Sequence, residues 1–545
     1  MEIRAELEKK GYSFRSRADS EVVLKAYEEW GMDSLGKFNG MFAFGLWDGK
    51  RKELILARDR YGIKPLYYYL SGDVLVFASE IKAILEHPAM TAKVNLPALL
   101  EYFTFQNIFT DSTLFEGVKL LPPGTWMRVA LGKKDAVETR QYWDYSFREP
   151  DSPLSEDEYV EELDRLFRQA VERQLVSDVP VGSYLSGGMD SASITAVAAG
   201  HIPYLATFTT GFDMSSASGM ELGCDERGKA EFLSNMFKTE HYEAVLKAGD
   251  MERVMKPLIW HLEDLRVGQC YPNFYTSRLA SKFVKVVLSG AGGDELFAGY
   301  PWRYYRAIIN EDIDEYVEKY YGFWHRLIPN RFLPELFRPE IWNRIKDIRT
   351  IDIFRSIADD GRFPISKPEE YVNKSLYFEI KTFLHGLFIV EDKLSMAYGL
   401  ETRVPFMDND LVDFAMSVPV RMKLRDFGET IRISENEIGL KVEKYYRKTR
   451  DGKMILRKVM GRYVPSSITE QVKQGFSAPD ASWFKGESIN YIRDLLLDEN
   501  ARIYGYLQHG LVRRMIEEHA TGAKNHRLFI WSLLSFEWWL RTFIQ

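Results

Sequence analysis

Two cysteines, Cys224 and Cys270, are the only thiols in 545 residues. That is too few for a disulfide framework, and no C-x-x-C spacing is present, so a reducing, cytoplasmic setting fits. The opening "MEIRAELEKK" is charged from its second residue and lacks the pattern of a secretory signal. No long apolar run is present either. The most apolar stretch, "LFIWSLLSFEWWL" (Leu528 to Leu540), is too short to span a bilayer and is interrupted by Glu537, so it reads as a buried C-terminal helix. Positive charge is not in excess. The net charge is -7, and the most basic run, "EKYYRKTR" (Glu443 to Arg450), reads as a solvated helix, which argues against nucleic acid as a partner. Fixed-period repeats and low-complexity tracts are missing.

What is present is an ordinary globular composition, 46% hydrophobic and 28% charged. The length exceeds what one core can serve, so two or more domains are expected. Up to about residue 145 the chain alternates short strands and turns. "MFAFGLWDGKRKELILARD" predicts a hairpin around Asp48-Gly49, and "PLYYYLSGDVLVFAS" another around Ser71-Gly72-Asp73. One helix is expected almost from residue 1 and a second from about Ser20 to Trp30, stopped by Gly31. Antiparallel hairpins with helices grouped apart predict an α+β domain over 1–147. The polar stretch "REPDSPLSED" (148–157) reads as a linker. At its end Ser155 and Glu158 form a capping box for a helix with Tyr159, Leu163, Phe167 and Val171 on one face. Over 158–545 the order becomes strand, glycine loop, helix, which predicts an α/β domain with a doubly wound parallel sheet. Its C-terminal region is helical and rich in aromatic residues.

Two loops carry the chemistry. "SYLSGGMDS" and "LSGAGGDELFAGY" each follow an apolar strand, where an open parallel sheet binds ligands. The first is laid out like a phosphate cradle but has no lysine. Ser186, Gly187 and Gly188 present backbone N–H groups to an anion at a helix start. Asp190 would repel a bare phosphate, so a bridging cation is expected, and Mg²⁺ held by carboxylate and phosphate oxygens is the natural one. Ser289, Gly290, Asp294 and Glu295 repeat the design. Two such loops suit Mg²⁺-pyrophosphate as a leaving group, hence attack at the α-phosphate of ATP. The competing reading is two tight turns whose acids only cap helices.

With these motifs on the page, a resemblance can be stated. "SGGMDS" resembles the pyrophosphate loop of ATP pyrophosphatases. Together with "LSGAGGDELFAGY", "VEDKLSMAYGLETRVPFMD" and "VKQGFSAP", the chain is similar to glutamine-hydrolysing asparagine synthetases. "DSEVVLKAYEEWG", "GMFAF", "LARDRYGIKPLYY" and "FASEIKAIL" resemble the glutamine amidotransferase domain of the same enzymes, an N-terminal-nucleophile fold with antiparallel sheets. The resemblance implies that ATP adenylates the side-chain carboxylate of aspartate and pyrophosphate leaves. Ammonia, free or from glutamine, then displaces AMP. It also implies roles: Leu185 and Thr210 against the adenosine; Ser186, Gly187, Gly188, Asp190 and Ser191 on pyrophosphate; Ser289 and Gly290 as a second nucleotide contact. Asp190 and Asp294 would hold Mg²⁺. Asp294, Glu295 and Lys473 are the catalytic candidates, with Lys473 on the α-phosphate; the plainer reading of Lys473 is a surface lysine. Arg403 either holds a carboxylate bidentately or pairs structurally with Glu401 or Asp408. Cys224 and Cys270 read as small core residues, and Tyr300, Trp302 and Tyr304 as packing.

Two departures from the family pattern stand out. Asparagine synthetases often carry an acid at the third position of the second loop, and relatives that close β-lactam rings carry tyrosine; here the residue is Ala291. Alanine supplies neither charge nor hydroxyl, which keeps open a different carboxylate substrate, a sugar acid or a peptide. A nucleotide-binding partner subunit without activity is the non-enzymatic alternative. The family's glutaminase also uses an N-terminal cysteine, and neither cysteine lies in the first domain. Asp19, matched to the acid that receives the glutamine amino group, is what remains of that site. The expectation is a partial amidotransferase domain without glutaminase activity as written. A longer chain, a second chain completing the domain, or use of free ammonia would each account for it. A homo-oligomer is a further partner consistent with the sequence.

Overall fold

A computed structural model of the protein describes residues 1–130, 132, 137–218, 221, 223–359, 361, 367–425, 451–471 and 478–544. In the first part, β1 (Ala43–Asp48), β2 (Glu53–Arg58), β6 (Thr125–Ala130) and β7 (Val137–Gln141) form one antiparallel sheet in the order β1-β2-β6-β7. A second sheet has the order β4-β3-β5, from β3 (Tyr67–Ser71), β4 (Val74–Ala78) and β5 (Val118–Leu120). Period-2 alternation assigns the faces. Ala57 and Trp126 point to a core shared with the helices Glu2–Lys9 and Asp19–Trp30. Leu56 and Met127 point the other way, to Leu66, Tyr68 and Leu121 of the second layer.

The second hairpin turns on Gly72-Asp73, with Ser71 opposite Val74 and Gly72 at φ +57°. The first departs from its expected turn. Asp48 pairs with Glu53, so the loop runs from 49 to 52 rather than closing on Asp48-Gly49. The Asp48 carboxylate accepts from the Lys50 and Arg51 N–H groups, which stabilises the longer loop.

The second part is built on β8 (Val181–Tyr184), β9 (Ala206–Phe212), β10 (Glu240–Leu246), β11 (Val286–Leu288) and β12 (Glu401–Arg403). All neighbours are parallel and the order is β10-β9-β8-β11-β12. The chain winds outward from β8 in one direction and then in the other from β11. The crevice where the winding reverses therefore opens between the carboxyl ends of β8 and β11. The capping box forms as its sequence dictates: Glu158 N donates to Ser155 Oγ at 3.3 Å and Ser155 N to Glu158 Oε2 at 2.8 Å. Tyr159, Leu163, Phe167 and Val171 of that helix are all buried.

The polar stretch 148–157 makes contacts along its length. Glu149 Oε1 accepts from Asn373 Nδ2 and from Val420 N, which ties it to the second part. The two parts also share a core, in which Tyr67, Ile81, Leu99 and Phe103 pack in one cluster with Ile389, Trp531 and Trp539. The C-terminal helix Arg527–Phe543 is buried, and the Glu537 carboxylate within it accepts from the N–H groups of Arg502 and Ile503. Among the described residues no helix is long and apolar enough to cross a membrane.

Candidate functional site

The first glycine loop leaves β8 at Tyr184 and enters the helix Met189–His201. It is held closed by its own serines. Ser186 N donates to Ser191 Oγ at 3.1 Å, the two hydroxyls lie 3.0 Å apart, and Gly187 turns at φ +74°. The helix start leaves backbone N–H groups facing the crevice. The second loop leaves β11 at Leu288 and enters the short helix Gly293–Leu296. The loops touch. A Cβ at Gly290 would stand 3.0 Å from Ser191 N, and one at Gly293 3.0 Å from Asp190 Cγ, so glycine is what allows the approach.

Across this contact lies a cation that sequence reasoning missed. Lys453 Nζ is 2.5 Å from Asp190 Oδ2 and 2.6 Å from Asp294 Oδ1. Its backbone is left-handed, at φ 58° and ψ 30°, an unfavourable conformation for a lysine. Lys453 N donates to Phe297 O at 3.0 Å, which fixes that turn beside the second loop. The only local signal was a Gly-Lys step directly before a helix, in "DGKMILRK". Gly299 borders the pair: a Cβ there would overlap Asp294 Oδ1 and come within 2.7 Å of Lys453 Cε. Gly299→Ala should therefore lower ATP-dependent turnover by about 100-fold, the cost of displacing a catalytic group by about 1 Å. Steady-state kinetics against ATP check this.

The other candidates divide. Ser289 stands at the end of β11, its N–H donating to Arg403 O at 2.8 Å. Glu295 is buried with the Tyr300 hydroxyl 3.4 Å from Oε1; burial, then the neighbouring Asp294 charge, pushes its carboxyl up to about 7. Thr210 Oγ1 is 2.5 Å from Thr276 Oγ1. The Leu185 side chain is wholly enclosed in the core, its N–H donates to Phe208 O and its carbonyl accepts from Thr209 Oγ1. Arg403 is spoken for: Nε pairs with Glu401 at 2.6 Å and Nη1 donates to the carbonyls of Gln174 and Val176. That geometry favours the structural ion pair over a grip on substrate, while Asp408 pairs with Arg173 instead. Asp19 is exposed in the first turn of its helix, accepting from Ser20 N. Lys473 lies outside the described residues. Cys224 and Cys270 are both buried, and burial pushes the Cys270 thiol up to about 12.

A magnesium ion fits the acids. Asp190 Oδ1 is buried without a hydrogen-bond partner among the described residues, and carboxylate oxygens are the donors this hard cation prefers. The described residues contain no group of three or more His, Cys, Asp or Glu that could hold a metal by themselves, so oxygens of a bound phosphate would have to complete the shell.

Two glycine turns, two acids and a lysine at the reversal point of a parallel sheet define a nucleotide-binding α/β enzyme, here joined to an antiparallel α+β part. Comparison with known proteins narrows the class. The asparagine synthase family profile matches residues 162–541, and that of the glutamine amidotransferase domain matches 1–143. The chain is 28% identical over 564 residues to asparagine synthetase (glutamine-hydrolyzing) 1 of Bacillus subtilis, covering 99% of this chain and 83% of that protein. It is 32% identical over 451 residues to asparagine synthetase (glutamine-hydrolyzing) 3 of the same organism, covering 78% and 69%. A putative asparagine synthetase (glutamine-hydrolyzing) of Mycobacterium bovis is 29% identical over 587 residues, covering 100% and 83%. The chain belongs to the asparagine synthase family and is a carbon–nitrogen ligase of that type.

Proposed function

We propose that this enzyme amidates the side-chain carboxylate of aspartate through an acyl-adenylate. ATP enters the crevice with its pyrophosphate end on the N–H groups of the first loop and on Lys453. The aspartate carboxylate attacks the α-phosphorus, the bond to the β-phosphate oxygen breaks, and pyrophosphate leaves. Ammonia then attacks the acyl carbon and AMP departs. Glutamine is the proposed ultimate source of the ammonia, in keeping with the glutamine amidotransferase profile over residues 1–143. Asp190 and Asp294 would hold Mg²⁺, whose charge makes pyrophosphate a better leaving group. Lys473 is assigned to the α-phosphate by family resemblance.

The observation that carries this reading is the meeting of Asp190, Asp294 and Lys453 at one point between the two loops. Aspartate-dependent exchange of labelled pyrophosphate into ATP tests it, and no exchange with aspartate would overturn it. Lys473→Ala should cut that exchange by about 10³-fold, since a cation aimed at transition-state charge is worth about 3–4 kcal/mol. A circular-dichroism melt unchanged from the parent would show that the fold is retained. One observation favours a second reading: Ala291 leaves the second loop without its usual acid. A panel of carboxylic acids, sugar acids and peptides included, assayed for pyrophosphate release separates the two.

A further inference from the structure

Lys453 keeps an unfavourable left-handed backbone, which persists only if its surroundings hold it. The second loop holds one side of the turn. Lys453 N donates to Phe297 O at 3.0 Å, and a Cβ at Gly452 would overlap Ala298 O. Arg457, one turn along the helix Met454–Met460, holds the other side. Its Nε donates to Gly452 O at 2.8 Å. Its Nη1 donates to the carbonyl of Thr469 and, at 3.4 Å, to that of Gln471. Gln471 stands two positions before Lys473 in the sequence. The Gln471 side chain accepts in turn from Lys229 Nζ at 2.9 Å. Lys229 packs on the first glycine loop, where a Cβ at Gly187 would stand 2.8 Å from Lys229 Cβ. One guanidinium thus joins the turn that presents Lys453 to the backbone that leads towards Lys473.

Resting on the reading given under Proposed function, we propose that Arg457 is a positioning residue for adenylation, which sets Lys453 and the segment before Lys473 in register with each other. Lys453 meets Asp190 and Asp294 through its Nζ, and Arg457 fixes the carbonyl directly before it in the chain. Arginine suits the task because its planar fork carries donors on more than one edge and stays charged. Nε and Nη1 therefore bind carbonyls from two separate segments at once. A lysine ammonium is a single point and cannot span them. Loss of the fork frees the left-handed turn to relax, and the ammonium of Lys453 moves off the line between the two carboxylates.

The test uses the full chain with ATP, magnesium and aspartate, and follows aspartate-dependent pyrophosphate exchange in wild type, Arg457→Lys and Arg457→Ala. Both variants should lose about 100-fold, the scale of displacing a catalytic group by about 1 Å. The loss should fall on kcat, with the KM for aspartate within about threefold of wild type. In a Lys453→Ala background, Arg457→Ala should cost about tenfold or less, because the group it places has gone. A second readout needs no nucleotide. Amide hydrogen exchange over residues 451–454 should quicken by about tenfold in Arg457→Lys, while that over the β8 residues 181–184 is unchanged. Should Arg457→Ala fail to fold, Arg457→Lys decides through both readouts. Pyrophosphate exchange within about threefold of wild type, the full 100-fold loss persisting beside Lys453→Ala, or unchanged amide exchange over 451–454 would each overturn the assignment. Absence of pyrophosphate exchange in wild type would instead sink the proposed function itself, before any variant is compared.

Discussion

Lys453→Ala is expected to lower aspartate-dependent pyrophosphate exchange by about 10³-fold or more, the scale of removing a charge aimed at the transition state. The geometry sets this magnitude. Lys453 Nζ is within 2.6 Å of both loop carboxylates, and its side chain is only 6% exposed. Without it Asp190 and Asp294 lose the ammonium that bridges them. Two unit charges about 4 Å apart repel by about 4 kcal/mol at an effective dielectric constant of about 20. An incoming triphosphate then meets two negative charges without the ammonium that lies between them. Lys453→Arg should not rescue, because a planar fork cannot occupy the place of a compact ammonium between two carboxylates. Added magnesium should recover part of the loss. Exchange kinetics across a magnesium series measure this, and turnover within about threefold of wild type would remove Lys453 from the site.

The second large effect is on stability. Glu263→Ala should destabilise the protein by about 3–5 kcal/mol, the cost of leaving a buried charge unpaired. Glu263 is wholly buried and has a left-handed backbone, φ 56°. Its carboxylate accepts from the N–H groups of Ile81 and Lys82, at the start of a helix in the first part, and pairs with Lys393 and Lys82. Lys393 is itself buried, on the helix His385–Met396. Removing the acid leaves Lys393 unpaired beside Tyr67 and uncaps the helix Ile81–Leu85. The double variant Glu263→Ala, Lys393→Met should lose less than the single one, since the stranded charge has gone with its partner. Urea denaturation of all three proteins is the measurement. A single-variant loss under about 1 kcal/mol would mean that water reaches Lys393 and the pair is not desolvated.

Local chemistry was readable in advance. The second hairpin lies where Gly72 permits a two-residue turn, and the capping box of Ser155 and Glu158 forms because its partners are three residues apart. The 49–52 loop was misjudged because Asp48 satisfies two N–H groups through its side chain, which competes with a tight turn. Arg403 could not be decided from its neighbours in sequence. Glu401 is two residues away, but the carbonyls of Gln174 and Val176 that complete its shell come from over 200 residues upstream. The burial of the Leu185 side chain likewise depends on helices that pack from elsewhere.

The sequence by itself determined the hairpin strands, the strands that lead into the two glycine turns, a helix cap and, through the resemblance of its motifs, the family. Each of these is a short-range matter of φ/ψ preference, side-chain period and hydrogen bonds between near neighbours. The strand order β10-β9-β8-β11-β12, and with it the crevice between β8 and β11, came only with the tertiary structure. So did the placing of Lys453, 263 positions from Asp190. Such a meeting is set by how buried faces stack across the whole chain, and no local preference of a lysine encodes it.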